Sequence, residues 1–134
     1  MSLLVDTSVW SLALRRDALG DVPEVTALRR QLSAGDLVVT TGLVLQELLQ
    51  GFSGPRSRSQ IIERFAALPL VAPDRGDHIE AAEIRNRCRR SGLQVGTIDA
   101  LLAQLCIRHR LALLTTDRDF AHIAGRFPLQ LWRA

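Results

Sequence analysis

The stretch of sequence that decides the fold is Leu3-Leu4-Val5-Asp6-Thr7-Ser8-Val9-Trp10. Its aliphatic residues run without alternation into an aspartate, a pattern that favours a strand buried on both faces of a parallel sheet. Ser8 is a favourable N-cap for a helix that follows directly. Asp6 is therefore predicted at the carboxyl end of a central strand, the edge of an open α/β sheet at which ligands bind.

The length and composition of the chain favour one globular domain, residues 1–134, of which 47% are hydrophobic. No apolar run approaches the ~20 residues needed to cross a bilayer. A signal peptide is not indicated either, because Asp6 interrupts the first apolar run and no basic residue precedes it. Cys88 and Cys106 lie in helix-like segments without metal-type spacing, so we interpret them as reduced core residues of a cytoplasmic protein.

The charge pattern is unusual because all 17 basic residues are arginine. Without lysine, neither a P-loop nor a Schiff-base mechanism is available. Five of the 14 acids are discussed below as candidates for one site. If they gather there, the rest of the protein carries 17 arginines and only nine acids. An acidic pocket within a basic surface suits a polyanion whose phosphate meets a metal ion. A solvated arginine-rich surface is the alternative explanation of the charge alone.

Strand-like and helical segments alternate along the rest of the chain. Further strands are predicted at residues 37–40, 70–72, 111–114 and 129–132. Helices are predicted at residues 24–34, 43–52 (opened by Thr41 or Gly42), around Ile61 and Phe65, 77–92, 98–109 (capped by Thr97) and around Phe120 and Ile123, with a turn at Gly20-Asp21 and a loop at residues 56–59. This alternation predicts a three-layer α/β/α sandwich with a mostly parallel central sheet.

Glu47 lies in a segment, residues 43–49, that is hydrophobic on nearly every side and is therefore predicted to be buried. An ionised carboxylate is costly there unless its charge is compensated, and no Arg, Lys or His lies within a helical turn of it. The alternative is that Glu47 reaches an exposed edge or a distant arginine.

Asp99 is in the first turn of a predicted helix, where any acid gains from the helix dipole. That position alone would explain it. However, Leu101, Leu102 and Leu105 are core-like, so the start of this helix is predicted to point into the molecule.

Asp117 repeats the position of Asp6, because it follows the carboxyl end of the buried strand at residues 111–114. Asp119 either supports the same site or caps the short helix that follows it. Three further acids have ordinary turn or cap positions and are assigned no role at the site: Asp36, Asp74 and Asp77.

These acids can share one edge of the sheet only if a cation neutralises them, because clustered carboxylates otherwise repel and partly protonate. An all-oxygen ligand set selects Mg²⁺ or Mn²⁺ over Zn²⁺. The three histidines lie on helices without a convergent pattern, and we expect them at the surface: His78, His109 and His122. A carboxylate-held magnesium ion typically serves phosphodiester or phosphoryl chemistry.

The sequence resembles the PIN-domain ribonucleases, and most closely the toxins of bacterial VapBC-type toxin–antitoxin pairs. The resemblance covers essentially the full length, and its motifs are Leu4-Val5-Asp6-Thr7-Ser8-Val9-Trp10, Leu45-Gln46-Glu47-Leu48 with Gly51, Asp99-Ala100-Leu101-Leu102-Ala103 and Leu113-Leu114-Thr115-Thr116-Asp117-Arg118-Asp119-Phe120. It implies an α/β/α sandwich, Mg²⁺- or Mn²⁺-dependent endoribonuclease activity and usually a homodimer. It also implies a cognate antitoxin whose tail occupies the groove beside the acidic site.

The same resemblance assigns roles to individual residues. The acids that fall on the family's catalytic and metal-binding quartet are Asp6, Glu47, Asp99 and Asp117. Asp119 falls on a position that is acidic in many members. Ser8 matches a hydroxyl position that often supports the first aspartate, and Thr115 is assigned a supporting role as well.

The candidate functions are an endoribonuclease toxin, a PIN-like module that binds RNA or protein without cleaving, and a phosphatase or phospho-acceptor domain. No acid of the quartet is missing, which favours the nuclease over the binding module. The third class usually has a second Asp beside the first and a nearby Lys, whereas Thr7 and Ser8 follow Asp6 here and Lys is absent. Residues 85–90 either bind the RNA backbone or form a solvated helix face.

Overall fold

The computed structural model describes residues 1–15 and 22–134, so the turn predicted at Gly20-Asp21 lies outside the described residues. These residues form a sheet of four parallel strands: β1 (Leu3–Val5), β2 (Val38–Val39), β3 (Ala112–Leu114) and β4 (Gln130–Leu131). The strand order is β2-β1-β3-β4, so β1 is central, as predicted. All three residues of β1 are buried, because helices cover both faces of a parallel sheet.

The helices flank this sheet in the predicted α/β/α arrangement. They are α1 (Thr7–Leu14), α2 (Pro23–Ser33), α3 (Gly42–Gly51), α4 (Pro55–Ala66), α5 (Arg75–Arg90), α6 (Thr97–His109) and α7 (Phe120–Ala124). The most deeply buried helix is α6, in which every residue from Ala100 to Cys106 is buried. None of the helices in the described residues is long and apolar enough to cross a membrane.

The register of the sheet places the ends of β1 and β3 side by side. Val5 pairs with Leu114, the last residue of each strand. The backbone N–H of Asp6 then donates to the carbonyl of Leu114 over 2.9 Å. Residues that follow the two strands therefore emerge at the same edge of the sheet, although more than a hundred residues separate them in sequence.

Two segments differ from their predicted structure. Residues 56–59 belong to α4 and do not form a loop. Pro55 is in the first turn of this helix, where backbone N–H groups have no partner within the helix, so its missing N–H costs nothing and it favours a helix start. The strand predicted at residues 70–72 is reduced to one bridge between Thr40 and Leu70. Pro69 and Pro73 flank this segment and cannot donate to a ladder, which limits its pairing.

Helix starts also differ from the predictions at three places. Asp6 precedes α1 as its N-cap, so Ser8 lies inside the helix and is free to bond elsewhere. Gly96 occupies the N-cap of α6, where Thr97 was expected. Helix α5 begins before Asp77. The N-cap prediction for α3 is confirmed, since the Thr41 hydroxyl accepts a hydrogen bond from the Val44 N–H over 3.3 Å.

The start of α5 is a capping box. Asp74 accepts from the N–H of Asp77, and the Asp77 carboxylate accepts from the N–H of Asp74, each over 2.9 Å. Asp77 is also fully buried and binds Arg108 of α6 through two short bonds of 2.6 and 2.7 Å. Its interpretation as an ordinary cap residue was therefore incomplete, because it also joins α5 to α6.

Both cysteines are buried and unpaired, as expected of core residues. Cys88 lies on the buried face of α5, and Cys106 lies in the buried part of α6. Of the three histidines, His78 and His109 are exposed as predicted, whereas His122 is half-buried.

Candidate active site

Asp6 follows β1 and is buried, with 7% of its surface exposed. Its Oδ2 accepts hydrogen bonds from the hydroxyls of Ser8 and Thr115, each over 2.8 Å. The Ser8 oxygen also accepts from the N–H of Thr116 over 3.2 Å. Two hydroxyls thus orient the Asp6 carboxylate through one oxygen, and in the described part of the chain no hydrogen bond engages its Oδ1.

Glu47 approaches this carboxylate from α3. Its Oε1 accepts a hydrogen bond from the hydroxyl of Thr7 over 3.2 Å, and Thr7 is the neighbour of Asp6 in sequence. Glu47 is half-buried, which lies between the predicted burial and the alternative of an exposed edge. Only Val44 and Leu48 of α3 are fully buried, which leaves Glu47 at the margin of the core.

Asp117 and Asp119 follow β3. The Asp117 N–H donates to the Thr115 hydroxyl over 3.0 Å, and Asp117 Oδ1 accepts from the Asp119 N–H over 2.9 Å. Asp119 is exposed and occupies the N-cap position of α7, but its side chain makes no capping hydrogen bond. The capping alternative for Asp119 therefore has no hydrogen bond to support it.

Asp99 lies in the first turn of α6 and is half-buried. Its pKa is raised to about 6, first by burial and then by the negative charges of Asp117, Asp6, Glu47 and Asp119. Each of the other four acids thus contributes to the potential at Asp99. The structure therefore brings together all five acids that the sequence singled out, around the carboxyl ends of β1 and β3.

The donor set fits a hard cation that keeps part of its water shell. Its charged oxygens come from carboxylates alone. Burial and then the negative charges of the other four acids raise the pKa of Asp99, and a cation would neutralise those charges. Within residues 1–15 and 22–134, no three Asp, Glu, His or Cys side chains are spaced to hold one ion directly between them. Mg²⁺ suits such spacing, because it commonly binds through one or two carboxylates and several waters.

Two contacts were missed by sequence reasoning, one at the site and one at the opposite end of α6 from Asp99. The first is the bond from Thr7 to Glu47; the position of a hydroxyl residue directly after Asp6 was a usable signal. The second is the ion pair of Asp77. Asp77 is in phase with the buried residues of α5, which are Asp77, Ala81, Ile84 and Cys88. An acid on the apolar stripe of a helix indicates a buried partner.

Comparison with known proteins gives a family. The family model described as PIN domain matches residues 3–126. This chain belongs to the PIN-domain family. The predicted resemblance is therefore confirmed, and the quartet positions all fall inside the matched region.

Similar sequences and structures extend this assignment. Ribonuclease VapC11 of Mycobacterium tuberculosis strain H37Rv is 31% identical to this PIN-domain chain over 130 residues, which cover 96% of each protein. Among solved structures, VapBC-1 from nontypeable Haemophilus influenzae is similar with a TM-score of 0.76 and 18% identity, over 98% of this chain and 97% of the other. VapC20 of Mycobacterium tuberculosis, a sarcin-ricin loop cleaving toxin, is similar with a TM-score of 0.69 and 23% identity, over 94% of this chain and 96% of the other. The two structures support the fold.

Proposed function

We propose that this PIN-domain protein is a divalent-metal-dependent endoribonuclease that acts as the toxin of a toxin–antitoxin pair. The observation that carries the proposal is the set of hydroxyl contacts that joins Asp6, Glu47 and Asp117: Thr7 donates to Glu47, and Thr115 donates to Asp6 and accepts from the Asp117 N–H. Asp99, in the first turn of α6, completes the proposed quartet. The 31% identity to a VapC ribonuclease over 96% of both chains supports the same conclusion. Residues 1–134 are proposed to act as one domain.

The quartet acids are proposed to hold Mg²⁺ or Mn²⁺, directly or through water. When bound, the ion would supply a water of lowered pKa and stabilise charge on the phosphate oxygens. Ser8 and Thr115 fix Oδ2 of Asp6, so this carboxylate is preorganised to present Oδ1. Thr7 does the same for Glu47 through Oε1. Asp119, which is exposed, is proposed to support the site from its rim.

One carboxylate of the quartet is proposed to position the attacking water by accepting a hydrogen bond from it. Asp99 suits this role by its position, because it lies in the first turn of α6 and lines the groove beside the site. Asp6 is less suited, since Ser8 and Thr115 already donate hydrogen bonds to its Oδ2.

The partners follow from the same assignment. RNA is the proposed substrate, and a cognate antitoxin protein is the proposed inhibitor. We propose in addition a homodimer that acts in the cytoplasm. The net charge of +3 with 17 arginines suits a polyanionic substrate.

The test is cleavage of total cellular RNA by the purified protein in Mg²⁺, in Mn²⁺ and in EDTA. Discrete fragments are expected only with metal, and they should vanish in Asp6→Asn. The matched control is Asp36→Asn, which changes an exposed acid outside the site in the same way. Thermal unfolding would verify that both variants are folded.

The other outcomes are equally informative. Full activity of Asp6→Asn would refute the site assignment. RNA binding without cleavage in either metal would refute the nuclease and leave a PIN-like binding module. Loss of cleavage in EDTA but not in Asp6→Asn would place the metal elsewhere.

A further inference from the structure

A groove of about 510 Å³ leads away from the acidic site along the second half of α5. Asp99 and Asp119 form its acidic end. Its other lining residues are Arg85, Arg89, Leu93, Gln94, Val95 and Gly96. The groove therefore joins the carboxylates to two arginines on one continuous surface.

The second half of α5 carries four arginines, and two of them are engaged outside the groove. Arg90 forms a 3.1 Å ion pair with Glu83, and the guanidinium of Arg87 lies 4.7 Å from the centre of the Phe127 ring. Neither Arg87 nor Arg90 lines the groove. Their positions on the helix make them natural controls for the other two.

Arg85 and Arg89 are different, because their partners are neutral. Arg85 Nε donates to the carbonyl of Val95 over 3.0 Å, and Arg89 donates to Oδ1 of Asn86 over 2.8 Å. In the residues that the structure describes, neither guanidinium has a carboxylate oxygen within 4.0 Å. Both positive charges are therefore available to an anion in the groove.

The two side chains are spaced for a repeating anion. Residues four apart lie on the same face of a helix, ~6 Å apart along its axis. The bond to Val95 also holds Arg85 against the groove wall, so less side-chain entropy is lost when an anion binds. A guanidinium binds phosphate oxygens through two parallel hydrogen bonds.

We propose that Arg85 and Arg89 bind consecutive phosphates of the RNA strand and so place the scissile phosphodiester beside Asp99. This inference rests on the proposed ribonuclease function and names the residues that position its substrate. The division of charge supports it: the carboxylates repel RNA unless a cation is present, so the arginines must supply the attraction along the groove. Their contacts are to the backbone and leave base sequence unread.

The test compares Arg85→Gln and Arg89→Gln with the matched controls Arg87→Gln and Arg90→Gln. Each variant loses one positive charge from the same helix, so changes in net charge cancel in the comparison. Binding of a fluorescein-labelled single-stranded RNA would be measured in EDTA, where it is not cut, over a series of KCl concentrations. Cleavage of the same RNA in Mg²⁺ would give KM and kcat.

Each groove variant is expected to bind RNA roughly tenfold more weakly, the loss of one charge-assisted contact. The slope of log K against log salt should decrease in magnitude by about 0.7 for each phosphate contact removed. The loss in cleavage should appear chiefly in KM, and Arg89→Lys should recover part of it. The two control variants should bind within about twofold of wild type.

Arg89→Gln keeps the test valid if Arg85→Gln does not fold, because the Arg89 bond to Asn86 lies within α5. Equal effects in groove and control variants would overturn the inference, and so would weaker antitoxin binding with RNA binding and cleavage unchanged. If the wild type cleaves while groove variants match controls, only this inference fails. If nothing cleaves but groove variants alone lose RNA binding, the ribonuclease proposal fails and the RNA groove stands.

Discussion

The hydroxyl of Thr115 donates a 2.8 Å hydrogen bond to Oδ2 of Asp6, across 109 residues of sequence. The same hydroxyl accepts from the Asp117 N–H over 3.0 Å. The Thr115 side chain therefore fixes the orientation of the Asp6 carboxylate and the path of the backbone at Asp117. This contact joins the ends of β1 and β3 at the site.

We predict that Thr115→Val lowers kcat roughly tenfold, because Val has the same shape but loses a hydrogen bond to a charged acceptor. The variant should remain folded, with an unfolding temperature within about 5 °C of wild type. Steady-state cleavage and thermal unfolding would measure the two effects. Thr115→Ser keeps the hydroxyl and is the control. A Thr115→Val enzyme with wild-type kcat would remove Thr115 from the site.

The raised pKa of Asp99 leads to a prediction of how the stability of the metal-free protein depends on pH. Its folded-state pKa of about 6 lies above its ordinary value of 3.8, so its contribution to stability is largest below pH 3.8 and is lost as the pH rises through about 6. In EDTA, the unfolding temperature of wild type should therefore fall relative to that of Asp99→Asn as the pH rises from 3.8 to about 6. Differential scanning fluorimetry across this range measures it.

Addition of Mg²⁺ at neutral pH should reverse this effect, because the cation neutralises the repulsion among the carboxylates. The unfolding temperature of wild type should rise with Mg²⁺ concentration, and that of Asp99→Asn should rise less. Asp36→Asn, which changes an exposed acid outside the site, should respond like wild type. Identical Mg²⁺ shifts in wild type and Asp99→Asn would argue against Asp99 as a ligand.

The pKa of Asp77 is shifted in the opposite direction from that of Asp99, so its contribution to stability should be lost in acid. The two bonds from Arg108 hold the pKa of this buried carboxyl well below its usual range, despite the desolvation that opposes ionisation. A lowered folded-state pKa stabilises the protein above the unfolded value of 3.8, and this stabilisation is lost as the pH falls below it. Asp77→Asn should lower the free energy of unfolding by about 2–3 kcal/mol at neutral pH.

Urea unfolding of wild type and Asp77→Asn at several pH values checks this prediction. The difference between them should be constant above about pH 5, where the carboxyl is ionised in both states, and should shrink below about pH 4. A difference that stays constant down to pH 3 would show that the charge of Asp77 is not what stabilises the fold.

Arg110 ends α6 in the left-handed conformation, with φ 55° and ψ 46°. This conformation costs an L-residue about 1–2 kcal/mol, whereas glycine adopts it freely. Arg110→Gly should therefore raise the free energy of unfolding by about 0.5–1 kcal/mol after the greater entropy of unfolded glycine is subtracted. Arg110→Ala removes the same exposed side chain but keeps Cβ, so it should not stabilise. Equal denaturant midpoints for the two variants would contradict the assignment of strain.

The amount of the fold that the sequence predicts depends on how local its signal is. The strands β1 and β3 are short apolar runs followed by an aspartate, and burial on both faces produces this pattern without reference to any partner. The parallel order follows from the alternation of strands and helices. The same logic places Asp6 and Asp117 at one edge, since the carboxyl ends of parallel strands meet there.

By contrast, some of the predictions that were wrong or incomplete depended on partners distant in sequence. The segment at residues 70–72 has strand character, but whether it extends the sheet depends on Thr40, which it meets through one bridge. Glu47 lies in an apolar helix, but its depth depends on how α3 packs against the rest of the molecule. Asp77 and its partner Arg108 are 31 residues apart in sequence. The only local indication of this pair is that Asp77 lies on the buried, apolar face of α5.

The sequence by itself determined the α/β class, the central strand and the five acids that gather at its end. The class and the central strand follow from the local hydrophobic pattern. The acids stand out because each follows a buried strand or lies in an apolar helix. Only the tertiary structure decided which hydroxyls hold Asp6 and which two arginines of α5 line the groove beside Asp99. Those choices depend on distances between side chains that different elements supply, and a pattern along the chain does not encode such distances.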